Sequence, residues 1–156
     1  MTGTWYVFSS FFIRWFSAIA ALALLSSMAV AQEVEADFTG VLETTYEDGA
    51  LHTMQAYVDG ERNGFYKSYS QQGLLLEQGA YNSDLKTGEW IRWNTDGTQV
   101  GLAQFKEGKK HGDWKIWDDQ GVLRYDMSYS EDQKVDIWYM YDENAMLVDT
   151  KDYTED

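Results

Sequence analysis

His52 and His111 are the only imidazoles in this 156-residue chain, and it has no cysteine. General acid–base or metal chemistry would need a second fixed group beside a histidine to orient its ring. The two histidines fall at different points of the sequence pattern described below. His111 takes the place held by Asn63 and Thr87 in sister segments, which reads as a turn position. Thiolate metal sites and disulfides are excluded outright. The 26 acids guarantee close carboxylate pairs, but glycosidase chemistry would need a pair ~5–10 Å apart in a cleft, and here the acids gather in turn-like stretches. Tyr46-Glu47-Asp48-Gly49 and Asp118-Asp119-Gln120-Gly121 invite a calcium reading. They lack the alternating oxygen ligands and closing bidentate Glu of a calcium loop. The residues therefore predict no catalytic, cofactor-binding or metal-ligating set.

What remains is aromatic. Rings make up 16% of the chain, and they recur every 24 residues: Tyr57, Tyr81, Phe105, Tyr129 and Tyr153 in one column, Tyr66, Trp90, Trp114 and Trp138 in a second, Tyr69, Trp93, Trp117 and Tyr141 in a third. Glycines keep the same step, as Gly49, Gly73, Gly97 and Gly121 with Ala145 in the fifth place, and as Gly40, Gly64, Gly88 and Gly112 followed by Asp136. Several columns sharing one period mark a repeat architecture, which needs about three units to bury a common core. The arithmetic gives four full units with half a unit at each end.

Each unit reads as two strands bounded by Gly, Asn and Asp. Asp48-Gly49 and Asp96-Gly97 mark hairpin turns in which Gly supplies positive φ. Centring turns there sets Trp93 opposite Val100, Tyr69 opposite Leu76 and Trp117 opposite Arg124. A second turn is expected around Glu61-Arg62, Leu85-Lys86 and Lys109-Lys110, setting Tyr81 opposite Trp90 and Phe105 opposite Trp114. The glycines of both series, Gly49, Gly73, Gly97, Gly121, Gly64, Gly88 and Gly112, are taken as turn residues. The fold class that follows is all-β: an elongated, twisted antiparallel meander advancing ~10 Å per repeat. Absence of proline suits an uninterrupted strand ladder. Asp149, Lys151, Asp152, Glu155 and Asp156 charge the last strand and blunt its edge.

Residues 1–31 contain Arg14 as their one charge, an apolar run from Trp15 to Leu25, and small residues ending in Ala29-Val30-Ala31. This is the pattern of a secretory signal helix cleaved before Gln32; an uncleaved membrane anchor is the alternative. Residues 32–39 follow as a short acidic linker, and 40–156 as the repeat domain. The formal net charge of −14 argues against nucleic acid or anionic membrane as a partner.

The cycle of G-x-W-x-x-W, a Gly turn, an aromatic and a Gly-containing basic turn resembles the MORN-repeat family, in particular its bacterial, antitoxin-like variant. The match is carried by Gly88-Glu89-Trp90-Ile91-Arg92-Trp93 through Gly97, by Phe105-Lys106-Glu107-Gly108-Lys109-Lys110-His111-Gly112-Asp113-Trp114-Lys115-Ile116-Trp117, and by Tyr57 to Gly64. The resemblance implies a sheet of stacked hairpins serving as a platform for protein or lipid contact, with no catalytic residues. The antitoxin label implies a partner protein, and the export pattern departs from a cytoplasmic one.

The combined expectation is an exported, non-catalytic scaffold whose partner is another protein. An envelope-glycan-binding module is the alternative. Strict alternation puts Trp90 and Trp93 on opposite sides of one sheet. The columns of Tyr57 and Tyr66 are assigned to repeat packing. Tyr69, Trp93, Trp117 and Tyr141 are assigned to the candidate binding face.

Overall fold

The computed structural model describes residues 34–154; the expected leader lies outside them. Ten strands follow one another: β1 (Gly40–Thr45), β2 (Leu51–Val58), β3 (Glu61–Tyr69), β4 (Leu75–Asn82), β5 (Leu85–Trp93), β6 (Gln99–Lys106), β7 (Lys109–Trp117), β8 (Leu123–Ser130), β9 (Gln133–Tyr141) and β10 (Leu147–Tyr153). They form one open antiparallel sheet in sequence order. The all-β meander is as expected. No helix among the described residues is long and apolar enough to cross a membrane.

Two kinds of turn alternate. Where an odd strand meets the next even one, a three-residue loop closes on a backbone bond such as Tyr46 N–H to Ala50 O (2.8 Å) and Asn94 N–H to Thr98 O (2.9 Å). Gly49, Gly73, Gly97 and Gly121 hold φ between 81° and 87° there, and Ala145 takes the same place at φ 58°. This is the type I turn with a glycine bulge. Its first residue caps the loop: Asn94 Oδ1 accepts from the Asp96 and Thr98 N–H groups, and Asp118 and Asp142 act alike.

The bulge slips the register by one. Strand bodies pair as the sequence predicts, Ile91 with Leu102 and Lys115 with Asp126. At the loop end, however, Trp93 faces Gln99, Tyr69 faces Leu75 and Trp117 faces Leu123, not the partners expected.

The other turn lies two residues earlier than expected. Asp59-Gly60, Ser83-Asp84, Glu107-Gly108 and Glu131-Asp132 all have positive φ at both residues, the requirement of a two-residue type I′ hairpin. The residues expected to turn, Glu61-Arg62, Leu85-Lys86 and Lys109-Lys110, begin strands instead. Tyr81 consequently faces Lys86, and Phe105 faces Lys110, not Trp90 and Trp114. Gly64, Gly88 and Gly112 (φ 104°, 65° and 71°) sit inside strands, not in turns. There the register jumps, so that Gly79 of β4 stands against the three residues Gly88, Glu89 and Trp90 of β5. A bulge of this kind re-aims the side chain that follows it.

Phe38 and Thr39, inside the expected linker of residues 32–39, touch the sheet. Phe38 packs its ring on Tyr57 at 5.9 Å, its carbonyl accepts from Gly60 N–H, and Thr39 Oγ1 accepts from Asp59 N–H.

Among the described residues Trp90 is the most buried apolar side chain, 3% exposed. It lies flat against Gly79, where an added Cβ would come within 2.3 Å of the ring. Gly101 has no such obstacle, its nearest atom being Arg92 Cβ at 3.5 Å. Gly79→Val is therefore expected to cost about 1–3 kcal/mol through overpacking, and Gly101→Ala about 0.5 kcal/mol or less. Urea unfolding of the two variants checks this; equal midpoints would show that Trp90 does not fix position 79.

Candidate functional site

Re-aimed by the bulges, the second aromatic column meets the first. Tyr66 stacks on Trp90 (centroids 5.6 Å) and Tyr81 meets it edge-on (5.0 Å). The series continues through Phe105–Trp114 at 5.2 Å, Trp114–Tyr129 at 5.2 Å, Tyr129–Trp138 at 5.0 Å and Trp138–Tyr153 at 4.9 Å. Rings thus run across the strands from β3 to β10 on one face. Each contact contributes about 0.5–1.5 kcal/mol beyond area burial.

The indoles are tied to backbone. Trp90, Trp114 and Trp138 Nε1–H donate to the carbonyls of Ala80, Gln104 and Ser128, at 3.2, 3.0 and 3.0 Å. In the unit where Tyr66 replaces tryptophan, the buried Gln55 supplies the missing donor: its Nε2–H donates to the equivalent carbonyl, Ala56 O, at 2.8 Å.

A column of bases, absent from the sequence-level site, caps this ladder. Arg62 lies 4.3 Å over Tyr81. Lys86 Nζ sits 3.7 Å over Trp90 and 5.1 Å over Phe105, Lys110 4.7 Å over Trp114 and 4.8 Å over Tyr129, and Lys134 4.7 Å over Trp138 and 5.1 Å over Tyr153. These bases keep the 24-residue step of the rings, and Arg62, Lys86 and Lys110 lie in strands where turns were expected. Cation–π contacts of this kind are worth about 0.5–2 kcal/mol.

Beside the ladder the same face opens into two grooves that share Ile116. One, of about 300 Å³, is lined by Ile116, Tyr125, Met127, Trp138, Met140 and Tyr153 among others. The other, of about 250 Å³, includes Trp90, Arg92, Gly101, Ala103, Phe105 and Trp114. Ile116 and Tyr125 are 43% and 44% exposed. Together the grooves make an apolar trough running across the strands. Gly101, with no side chain, deepens its floor.

The candidate face assigned from sequence is on the other side. Tyr69, Trp93, Trp117 and Tyr141 are half-buried and line neither groove. Tyr69 Oη–H points at Met54 Sδ (3.8 Å). A Lys115–Asp126 ion pair at 2.9 Å occupies the same side, and hydrogen bonding to Asp126 raises the Lys115 pKa.

His111 is a strand residue of β7 rather than a turn residue. Its Nδ1 is buried without a hydrogen-bond partner, 3.9 Å from Glu131 Oε1. His52, in β2, packs on Tyr46 at 4.5 Å. Among the described residues no group of three or more His, Asp and Glu is placed to hold a metal ion. No known family model matches the chain, and no curated protein is significantly similar to it.

Burial raises the phenol pKa of Tyr57, Tyr66, Tyr81 and Tyr129 above the ordinary value of 10.0. The unfolded chain then loses these protons first, so their stabilisation holds below pH ~10 and fades as the pH rises through the phenol range. Burial depresses the Lys86 pKa, which acts in the opposite direction, whereas Lys109 and Lys115, raised by their hydrogen bonds to Glu131 and Asp126, act with the tyrosines. Urea midpoints are expected to fall between pH ~9 and ~11. A flat or rising midpoint would contradict the buried ladder.

Proposed function

We propose that this chain is an exported, non-catalytic scaffold that binds another protein through the ladder face of its sheet. The observation that carries the reading is the apolar trough. Its exposed Ile116 and Tyr125 stand on a sheet one layer thick, with no second layer over that face among the described residues. Exposed apolar surface gathered in adjoining grooves, rather than scattered, is characteristic of an interaction site. The resemblance to MORN repeats points the same way. Export rests on the pattern of residues 1–31.

Glycan binding is the second reading. It would use ring faces, but on the ladder side those of the tyrosine and tryptophan columns are covered by neighbouring rings and by lysines, leaving Tyr125 as the exposed ring there, so it is the less favoured of the two.

Affinity capture from the native envelope tests the proposal. With the intact chain as bait, the reading expects one stoichiometric protein partner, lost in Ile116→Glu/Tyr125→Glu and retained in Trp93→Ala/Trp117→Ala. Loss only in the second variant would move the site to the opposite face. Capture of polysaccharide in place of protein would sink the scaffold reading. N-terminal sequencing of the envelope-associated chain is expected to begin at Gln32, and a start at Met1 would favour an uncleaved anchor.

A further inference from the structure

The chain is strongly acidic, yet its charge is sorted by face. Strand alternation and register place Arg62, Lys86, Arg92, Lys110, Lys134 and Lys151 on the ladder side, where the acids contributed by strands are Glu77 and Asp149. The remaining acids lie in the turns or on the opposite side, as Glu89, Asp113 and Asp126 do. The ladder side is therefore a basic, aromatic strip on a molecule of net charge −14.

Two of these bases form ion pairs, Arg62 with Asp84 at 2.8 Å and Lys151 with Asp149 at 3.6 Å. Arg92 stands opposite Glu77 in register. Lys86, Lys110 and Lys134 are different. Among the described residues none of them forms an ion pair with a carboxylate, and their charge rests on ring faces. A ring quadrupole attracts the ammonium from one side and leaves its outward N–H groups unused. Lys134 makes one long bond, 3.4 Å to Tyr153 Oη. Successive members of this row are one repeat apart, ~10 Å, and the apolar trough lies alongside.

We propose that this strip binds an acidic protein segment. The segment would be laid across the strands, with its carboxylates on Lys86, Lys110 and Lys134 and its apolar side chains in the trough beside Ile116, Tyr125 and Met140. The inference rests on the scaffold reading and names its partner's chemistry. Carboxylates ~10 Å apart correspond to every third residue of an extended chain or to about every seventh of a helix. A peptide fits this surface better than an acidic glycan, because the trough mixes Ile116, Met127, Met140 and the Gly101 backbone with rings that mostly pack on one another, where sugar stacking would need bare ring faces. Such steering by a local basic strip persists on an acidic protein when the charges are segregated, and it weakens with salt.

The test uses the full chain and a fluorescein-labelled synthetic peptide of repeated Glu-Leu-Ser, read by fluorescence anisotropy. Binding is expected to weaken with rising salt. It is expected to drop about tenfold or more, a change of ~1.4 kcal/mol, in Lys110→Gln/Lys134→Gln, and to stay within about twofold in Lys106→Gln/Lys109→Gln, which lie off the strip. Ile116→Glu, at an exposed position, guards against misreading a folding defect: its circular dichroism should be unchanged and its peptide affinity reduced by a similar factor. No anisotropy change up to about 1 mM peptide overturns the proposal, as does binding that both variants leave intact. Preferential binding of heparin or of anionic phosphatidylglycerol vesicles over the peptide also overturns it. If the peptide fails while Ile116→Glu/Tyr125→Glu still loses the natural partner, the scaffold reading stands and only the acidic partner falls.

Discussion

A sheet one layer thick cannot bury a side chain against a second layer, so every apolar group must find cover from neighbours on its own face. This constraint governs the rest of the molecule. Rings are the natural solution, because a ring is wide enough to reach across the ~4.8 Å between strands and touch its counterpart on the next one. Trp90 reaches 3% exposure only because Tyr66, Tyr81 and Phe105 surround it and Gly79 lets it lie flat on the backbone. In such a sheet each strand covers the rings of its neighbours. Among the described residues that cover is thinnest at the start of β10. Met146, Leu147 and Val148 are 65%, 54% and 62% exposed, where sister positions such as Leu123 and Arg124 are shielded by a following strand.

The period, the strand count per unit and the division of rings between two faces were all legible in the columns of Tyr, Trp and Gly. The turns were only half legible. Asp59-Gly60 and Glu107-Gly108 carry the sequence signal of a type I′ hairpin, but Ser83-Asp84 and Glu131-Asp132 reach the same positive φ without glycine, and no consensus showed through. The bulges were invisible for a different reason. Lys110 and Trp114 are four apart, which by simple alternation is merely the same side. Nothing in that spacing reveals that Gly112 is flipped to φ 71° and that the pairing jumps around it. Alternation correctly separated Trp90 from Trp93. It could not say which side stays open, because that depends on how tightly the rings pack, and tight rings turned out to border the trough.

Substitution within a column shows which atoms the architecture requires. The carbonyl at position 56, 80, 104 or 128 receives a side-chain N–H in every unit, from an indole where there is tryptophan and from Gln55 where there is tyrosine. What recurs is a satisfied acceptor beneath a ring, since a buried carbonyl left without a donor costs about 1–3 kcal/mol. The residue beneath the ring varies with burial: it is Gly79 at Trp90, 3% exposed, and the bulkier Met127 at the half-buried Trp138.

The base column joins fold and surface chemistry. Lacking a second layer, the ladder needs its outer ring faces closed, and a lysine closes one with its aliphatic stem and its charge together. Leucine would close the face equally well but would lengthen an exposed apolar strip on an edge-bearing sheet, inviting aggregation. Lysine avoids that, and in doing so it writes a row of positive charge along the one face that is also grooved. The acids that give the chain its net charge are then left to the turns and the opposite face; in the turns, Asp84 and Asp132, at positive φ, accept the backbone N–H bonds of Arg62 and Lys110. Segregation of charge by face is in this view a by-product of building a single-layer sheet from aromatic hairpins. It gives the ladder side an electrostatic sign opposite to that of the molecule as a whole, before any partner is considered.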